Sequence, residues 1–221
     1  MPRNRVTLFL TSALIALLTF SGAAAGAAEN ESDVRLYLKI DGKLVQAAPE
    51  LFDFPDLAEP ATKSRDTSPY LISFDQWVRC FTLNMEEDVY RSYTYYWNGG
   101  SQTARLKCGD GSWGYKHIRA GKESNWQSRL DLARANGWDS QSQGVESWDD
   151  LMAGVTAHAI TYAQYGNDYP AQNKRCGTNE VYFMNTSTGE IVYSFWVVAA
   201  WATDKERVIT SFSPSSAAYS C

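Results

Sequence analysis

Histidine is scarce: the 221-residue chain has two, His117 and His158. The zinc-binding His-Glu-x-x-His pattern is missing, and two distant histidines do not make an ordinary transition-metal site, so no metal is expected. Gly-x-Ser-x-Gly, a phosphate-binding loop and the dinucleotide glycine fingerprint are missing too. Their absence removes the usual signatures of serine hydrolases, nucleotide triphosphatases and nicotinamide enzymes, and no cofactor is expected. Positive charge is in deficit, with 20 Lys and Arg against 25 Asp and Glu. That balance argues against a surface that coats nucleic acid, since such affinity comes mainly from neutralised phosphates. It leaves room for a small basic site. Beyond Phe20 no apolar run is long enough to span a bilayer, so the mature chain is expected to stay out of the membrane, as a monomer.

The N-terminus does carry one apolar run. Arg3 and Arg5 precede Val6 to Phe20, and small residues from Ala23 to Ala28 lead into Glu29-Asn30-Glu31. This order predicts a secretory signal over residues 1–28 and a secreted protein. Cleavage after Ala28 leaves 193 residues and moves the net charge from -5 to -7. All four cysteines, Cys80, Cys108, Cys176 and Cys221, lie in the exported part without a close Cys-x-x-Cys pair. Two disulfides are expected there. Three pairings are open, and the local one, Cys80–Cys108 with Cys176–Cys221, is preferred.

Along the chain, Val34 to Ile40 alternates as a strand does. The proline-bearing stretch after it, to residue 68, reads as an extended arm. A domain from 69 to 221 follows. Trp77 to Leu83 reads as strand-prone, and Val89 to Trp97 pairs with Thr103 to Leu106 around the turn Asn98-Gly99-Gly100. Tyr93, Tyr95, Tyr96 and Trp97 are either a binding face or the cover of a sheet, the second being favoured. Two helices follow, Asn125 to Ala135 and Ser147 to about Tyr165, the latter capped by Ser147 with Asp150. Val181 to Met184, Ile191 to Ala202 and Arg207 to Phe212 complete a meander. The expected fold is α+β, with helices on an antiparallel β-meander preceded by an aromatic β-rich region.

The chemistry concentrates at Gly114-Tyr115-Lys116-His117-Ile118-Arg119-Ala120-Gly121-Lys122. An imidazole sits there among cations that are too costly to bury unpaired. His158, by contrast, lies on the apolar stripe of its helix with Val155 and Tyr162, and reads as a core residue. Thr210, Ser211 and Ser213 offer hydroxyls at the last strand.

The segment Gly111 to Pro214 has a glycine-rich lead into Lys-His-Ile, a Trp-containing helical region, and a meander with Ser-Thr-Gly-Glu that ends in Val-Ile-Thr-Ser-Phe-Ser-Pro. In these features it resembles small nucleases of the barnase–EndoU–colicin–RelE superfamily, which include secreted bacterial RNase toxins. The resemblance implies RNA as substrate, an acid/base role for His117, and phosphate-holding by Arg119 or Lys122. It also implies assistance by Thr210 or Ser211, and contact through Lys116, Tyr193 and Ser213. Glu123 or Lys122 would supply the second proton function, and an immunity or inhibitor protein would be a partner. The chain departs from that family at Lys122-Glu123-Ser124, where a second histidine is common. Two other functions stay open. One is a non-catalytic exported binder whose sheet aromatics grip carbohydrate or protein. The other is a carbohydrate-active enzyme with two opposed carboxylates drawn from Asp149, Asp150, Glu86 and Glu87.

Overall fold

Period-2 alternation and tight turns build most of this protein. The computed structural model describes residues 33–48, 51 and 73–217. The expected export signal, most of the extended arm and Cys221 lie outside the described residues. Val34, Leu36 and Leu38 point one way from strand β1 (Val34–Ile40) and are buried, while Arg35, Tyr37 and Lys39 are half-exposed. A short β2 (Lys43–Gln46) folds back on β1.

The stretch read as strand-prone is instead helical: α1 (Phe74–Trp77) runs into a π turn, Val78–Thr82. Its start is set by Ser73, whose side chain accepts from Gln76 N while the Gln76 side chain accepts from Ser73 N. This reciprocal cap outweighs the strand propensity of the Val78–Thr82 segment. The hairpin of β3 (Val89–Trp97) and β4 (Gly100–Lys107) turns at Asn98 and Gly99, both with positive φ.

Helix α2 is Gly114–Ala135, 22 residues, and begins eleven residues before the expected start. Its first half lacks an apolar stripe, which hid it from the periodicity. Gly114 has φ +76°, and a Cβ there would lie 2.7 Å from the Lys107 carbonyl oxygen, so the tight entry requires glycine. Helix α3 (Trp148–Thr161) is capped by Ser147 as expected, but it ends before Tyr165. Tyr165–Tyr169 is strand β5. Then come β6 (Lys174–Asn185), longer than the expected Val181 to Met184, followed by β7 (Ile191–Ala202) and β8 (Arg207–Phe212).

The expected fold needs correcting in its arrangement of strands. The meander and the aromatic region are not successive units: all eight strands form one curled sheet, ordered β2-β1-β6-β7-β8-β4-β3, with β5 also paired to β6. The join is a parallel contact of β4 with β8 at Arg105 and Arg207, and on the other side β1 pairs with β6. Such long-range pairings leave no local trace. Cys176 is disulfide-bonded and no described cysteine is free; Cys80–Cys108 is the one disulfide with both cysteines among the described residues. It ties the π turn to the end of β4.

The curl brings β3 to β5. Trp97 Nε1 donates to Asp168 (3.1 Å), and Arg175 pairs with the same carboxylate at 2.6 Å. Inside the curl lies α3. Gly177 on β6 gives it room, because a Cβ there would come 2.1 Å from the Ala159 carbonyl oxygen. Helix α2 covers the rest of the concave side through Tyr115, Ile118, Trp126 and Leu130, all buried.

Candidate functional site

Helix α2 separates the predicted residues by turning about 100° per residue. His117 and Arg119 are therefore about 200° apart around the axis, and they share no contact. Arg119 joins a cluster on one flank. It stacks on Trp77 (4.8 Å), donates to the Tyr115 hydroxyl (3.2 Å) and pairs with Glu123 at 3.5 Å. Tyr115 in turn donates to the buried Asp149 (2.9 Å). Lys116 is occupied on that flank too, donating to Asn84 at 2.5 Å beside the Phe81 ring. Lys116, Arg119 and Glu123 thus hold the α1 segment against α2.

His117 is half-exposed. Its Nδ1 lies 2.9 Å from the Gly111 carbonyl oxygen. A carbonyl only accepts, so Nδ1 carries the hydrogen and the neutral ring keeps its lone pair on Nε2. The glycine-rich turn Asp110 to Trp113 that supplies this carbonyl is held by Asp110, which accepts from Ser112 N and Oγ, each at 2.6 Å. Those bonds hold the Asp110 carboxyl below its usual pKa.

Lys122 is about 140° around the axis from His117 and about 60° from Arg119. Its ammonium is 5.4 Å from the centre of the Phe212 ring. Here α2 crosses the exit of β8, and three side chains of the helix hold that exit by its backbone. Asn125 donates to the Ser213 carbonyl (2.9 Å) and accepts from Ser213 N (2.8 Å). Trp126 Nε1 donates to the Ser211 carbonyl (3.1 Å), and Arg129 reaches the Pro214 carbonyl and the Tyr193 hydroxyl, each at 3.4 Å. Ser213 is 4% exposed, and neither its hydroxyl nor Arg129 Nε has a hydrogen-bond partner.

Of the hydroxyls predicted to assist, Ser211 is fully buried and shares a hydrogen with Thr156 Oγ1 (2.6 Å). Thr210 pairs with Ala200 on the opposite side of the sheet. The hydroxyl at the α2–β8 junction is that of Ser213. Arg129 was missed by sequence reasoning; its spacing of seven from Lys122, two helical turns, was the available signal.

The second histidine is a core residue, 1% exposed, beside the Lys39 carbonyl and the Asn179 side chain. Burial lowers its pKa to about 4. Tyr93 and Tyr95 are buried at 2% and 4%, so those two cover the sheet, whereas Tyr96 is 75% exposed. Asp149 and Asp150 sit side by side at the start of α3, both on Ser147 Oγ (2.5 and 2.7 Å), and do not face each other across a groove. Among the described residues no three His, Cys, Asp or Glu side chains gather as metal ligands, and no helix is long and apolar enough to cross a membrane. Compared with protein-family models, curated proteins and solved structures, the chain matches none.

Proposed function

We propose that this protein is an exported endoribonuclease that cleaves RNA without a metal, by attack of a ribose 2′-hydroxyl on the adjacent phosphorus. Its base is His117, and the RNA backbone crosses α2 toward Lys122 and Arg129. The supporting observation is the fixed imidazole: with Nδ1–H directed to the Gly111 carbonyl, the half-exposed Nε2 is left as a base.

In the proposed step Nε2 removes the 2′-hydroxyl proton, O2′ bonds to phosphorus and the P–O5′ bond breaks. The products are a 2′,3′-cyclic phosphate and a 5′-hydroxyl. Lys122 lies about 7.5 Å along the helix axis from His117 and about 140° around it, so it does not share the reacting phosphate with the imidazole. It offsets charge on the RNA backbone beyond the cleaved bond, and the departing 5′-oxygen takes its proton from water. Glu123 is engaged with Arg119 on the other flank and stays out of the step. Arg129, half-exposed, holds a phosphate further along the strand.

The test is incubation of the purified, oxidised chain from Glu29 with end-labelled single-stranded RNA in excess chelator, with end groups read by mass spectrometry. Cyclic-phosphate ends are expected, and His117→Ala slows cleavage by about 10²–10⁴-fold with an unchanged melting temperature. No cleavage by the native sequence, or full cleavage by His117→Ala, overturns the reading.

A further inference from the structure

The sheet face turned away from α2 and α3 carries a second cluster of chemistry that the nuclease reading does not use. Directly paired residues share a face, and three such pairs define this one: Glu180 with Trp196, Tyr182 with Ser194, and Tyr37 with Tyr182. Their neighbours on the inner side, Val181, Phe183 and Phe195, are buried in the core, whereas these five are all half-exposed. Glu180 stands at the centre. One of its oxygens accepts from Ser194 Oγ at 2.9 Å and the other from the Tyr182 hydroxyl at 2.7 Å. Trp196 lies beside it, with the Tyr165 ring 6.0 Å away. The carboxylate is thus oriented by hydroxyls and not neutralised by an ion pair, and each oxygen keeps a lone pair for a further donor.

We infer that this outer face is a binding site for an extended neutral glycan, with Trp196 and Tyr182 stacking on sugar rings and Glu180 accepting their hydroxyls. Aromatic rings set across adjacent strands roughly 5 Å apart present a row of flat apolar surface to the C–H faces of pyranoses. The carboxylate and the hydroxyl groups between them match the hydroxyls that project from each sugar edge. A phosphate or sulfate chain meets Glu180 at the centre of the face, with the cations Arg35 and Lys39 only at its β1 edge beside Tyr37, and a net charge of -5. A protein partner is disfavoured because interface centres are depleted of charge, and here a carboxylate occupies the centre.

The experiment is titration calorimetry of the chain from Glu29 with cellohexaose and with the hexamer of N-acetylglucosamine. Binding of at least one is expected, and Trp196→Ala weakens it by about tenfold. Glu180→Gln keeps shape and volume, should leave the melting temperature unchanged and weakens binding to a similar extent. It decides the matter should the tryptophan variant fail to fold. Neither sugar binding at millimolar concentration, or Glu180→Gln binding as well as the native chain, overturns the inference. RNA cleavage by the same variants is expected to be unaffected, so failure here and failure of the nuclease reading are separately visible.

Discussion

Helices α2 and α3 each carry one of the two histidines, and they differ in how much of themselves they bury. Twelve of the fourteen residues of α3 are buried, against six of the twenty-two of α2. A helix enclosed on all sides selects its polar residues for satisfaction inside the fold. Thus Thr156 meets Ser211 and Asp149 meets Tyr115, while His158, whose ring nitrogens make no hydrogen bond, is held neutral by burial. A helix buried along one face can aim polar groups at something outside it, as His117, Lys122 and Arg129 do. The same side chain therefore means different things on the two helices: on α3 a histidine is packing, and on α2 it is available for chemistry.

The comparison breaks most sharply at the histidines themselves. His117→Gln is expected to keep the melting temperature and lose RNA cleavage by about 10²–10⁴-fold. His158→Ala should do the opposite, costing about 2–4 kcal/mol through the cavity it leaves, with cleavage by the remaining folded protein unchanged. Chemical denaturation and cleavage rates measured on both variants check this. Equal effects on both readouts would erase the distinction.

The next largest effect concerns how α2 is anchored. Cys80–Cys108, 28 residues apart, closes a loop and fixes the aromatic segment that Arg119 and Lys116 stack upon. Replacing both cysteines by serine should cost about 3–4 kcal/mol, seen as a shifted denaturant midpoint. Helix α3 packs instead on β3, β6 and β7, so hydrogen exchange should rise in the first half of α2 more than in α3.

These anchors also explain what was legible in the sequence. Helix α3 could be read because its signals are local: Ser147 and Asp150 cap it, and Leu151, Val155 and His158 form a stripe. Strands β1, β7 and β8 showed themselves by alternation or by apolar runs. The first half of α2 could not be read. Of its large side chains only Tyr115 and Ile118 are buried, and the Lys116 and Arg119 cations sit over Phe81 and Trp77, which leaves too short an apolar pattern to show a helical period. The site followed the same rule. His117 and Lys122 stood out by residue type, but which flank each occupies depends on a helix that the pattern concealed. The union of eight strands in one sheet depends on pairings such as Leu36 of β1 with Phe183 of β6, far apart along the chain, which no window on the sequence contains.

A third contrast is in pH. Burial, with the charge of Asp149 adding to it, raises the Asp150 pKa from 3.8 to about 6, while burial lowers that of His158 from 6.5 to about 4. The signs are opposite. Asp150 binds a proton more tightly folded than unfolded, so its contribution is full below about pH 4 and is lost as pH rises through about 6. His158 binds a proton less tightly when folded, so its contribution is full above pH 6.5 and is lost as pH falls through about 4. Each amounts to about 3 kcal/mol, and in the native chain they largely cancel between about pH 4 and 6. Asp150→Asn should therefore leave stability that rises with pH across this window, and His158→Gln stability that falls. Thermal melts from about pH 4 to 7 read both slopes.

The smallest expected effect is the most specific to the α2–β8 junction. Asn125 pairs with both the N–H and the carbonyl of Ser213, so alanine there removes two hydrogen bonds and costs about 1–2 kcal/mol. Aspartate keeps the bond from Ser213 N but sets a carboxylate oxygen against the Ser213 carbonyl, where two acceptors repel. If the junction merely fastens α2 to the sheet, both variants lower the melting temperature and neither changes cleavage at a temperature where both are folded. If it also sets α2 in place to present Lys122 and Arg129 to RNA, cleavage falls in both, and further in aspartate, whose charge lies near the phosphate path. Relaxing that charge with added salt should then recover part of the aspartate loss and none of the alanine loss.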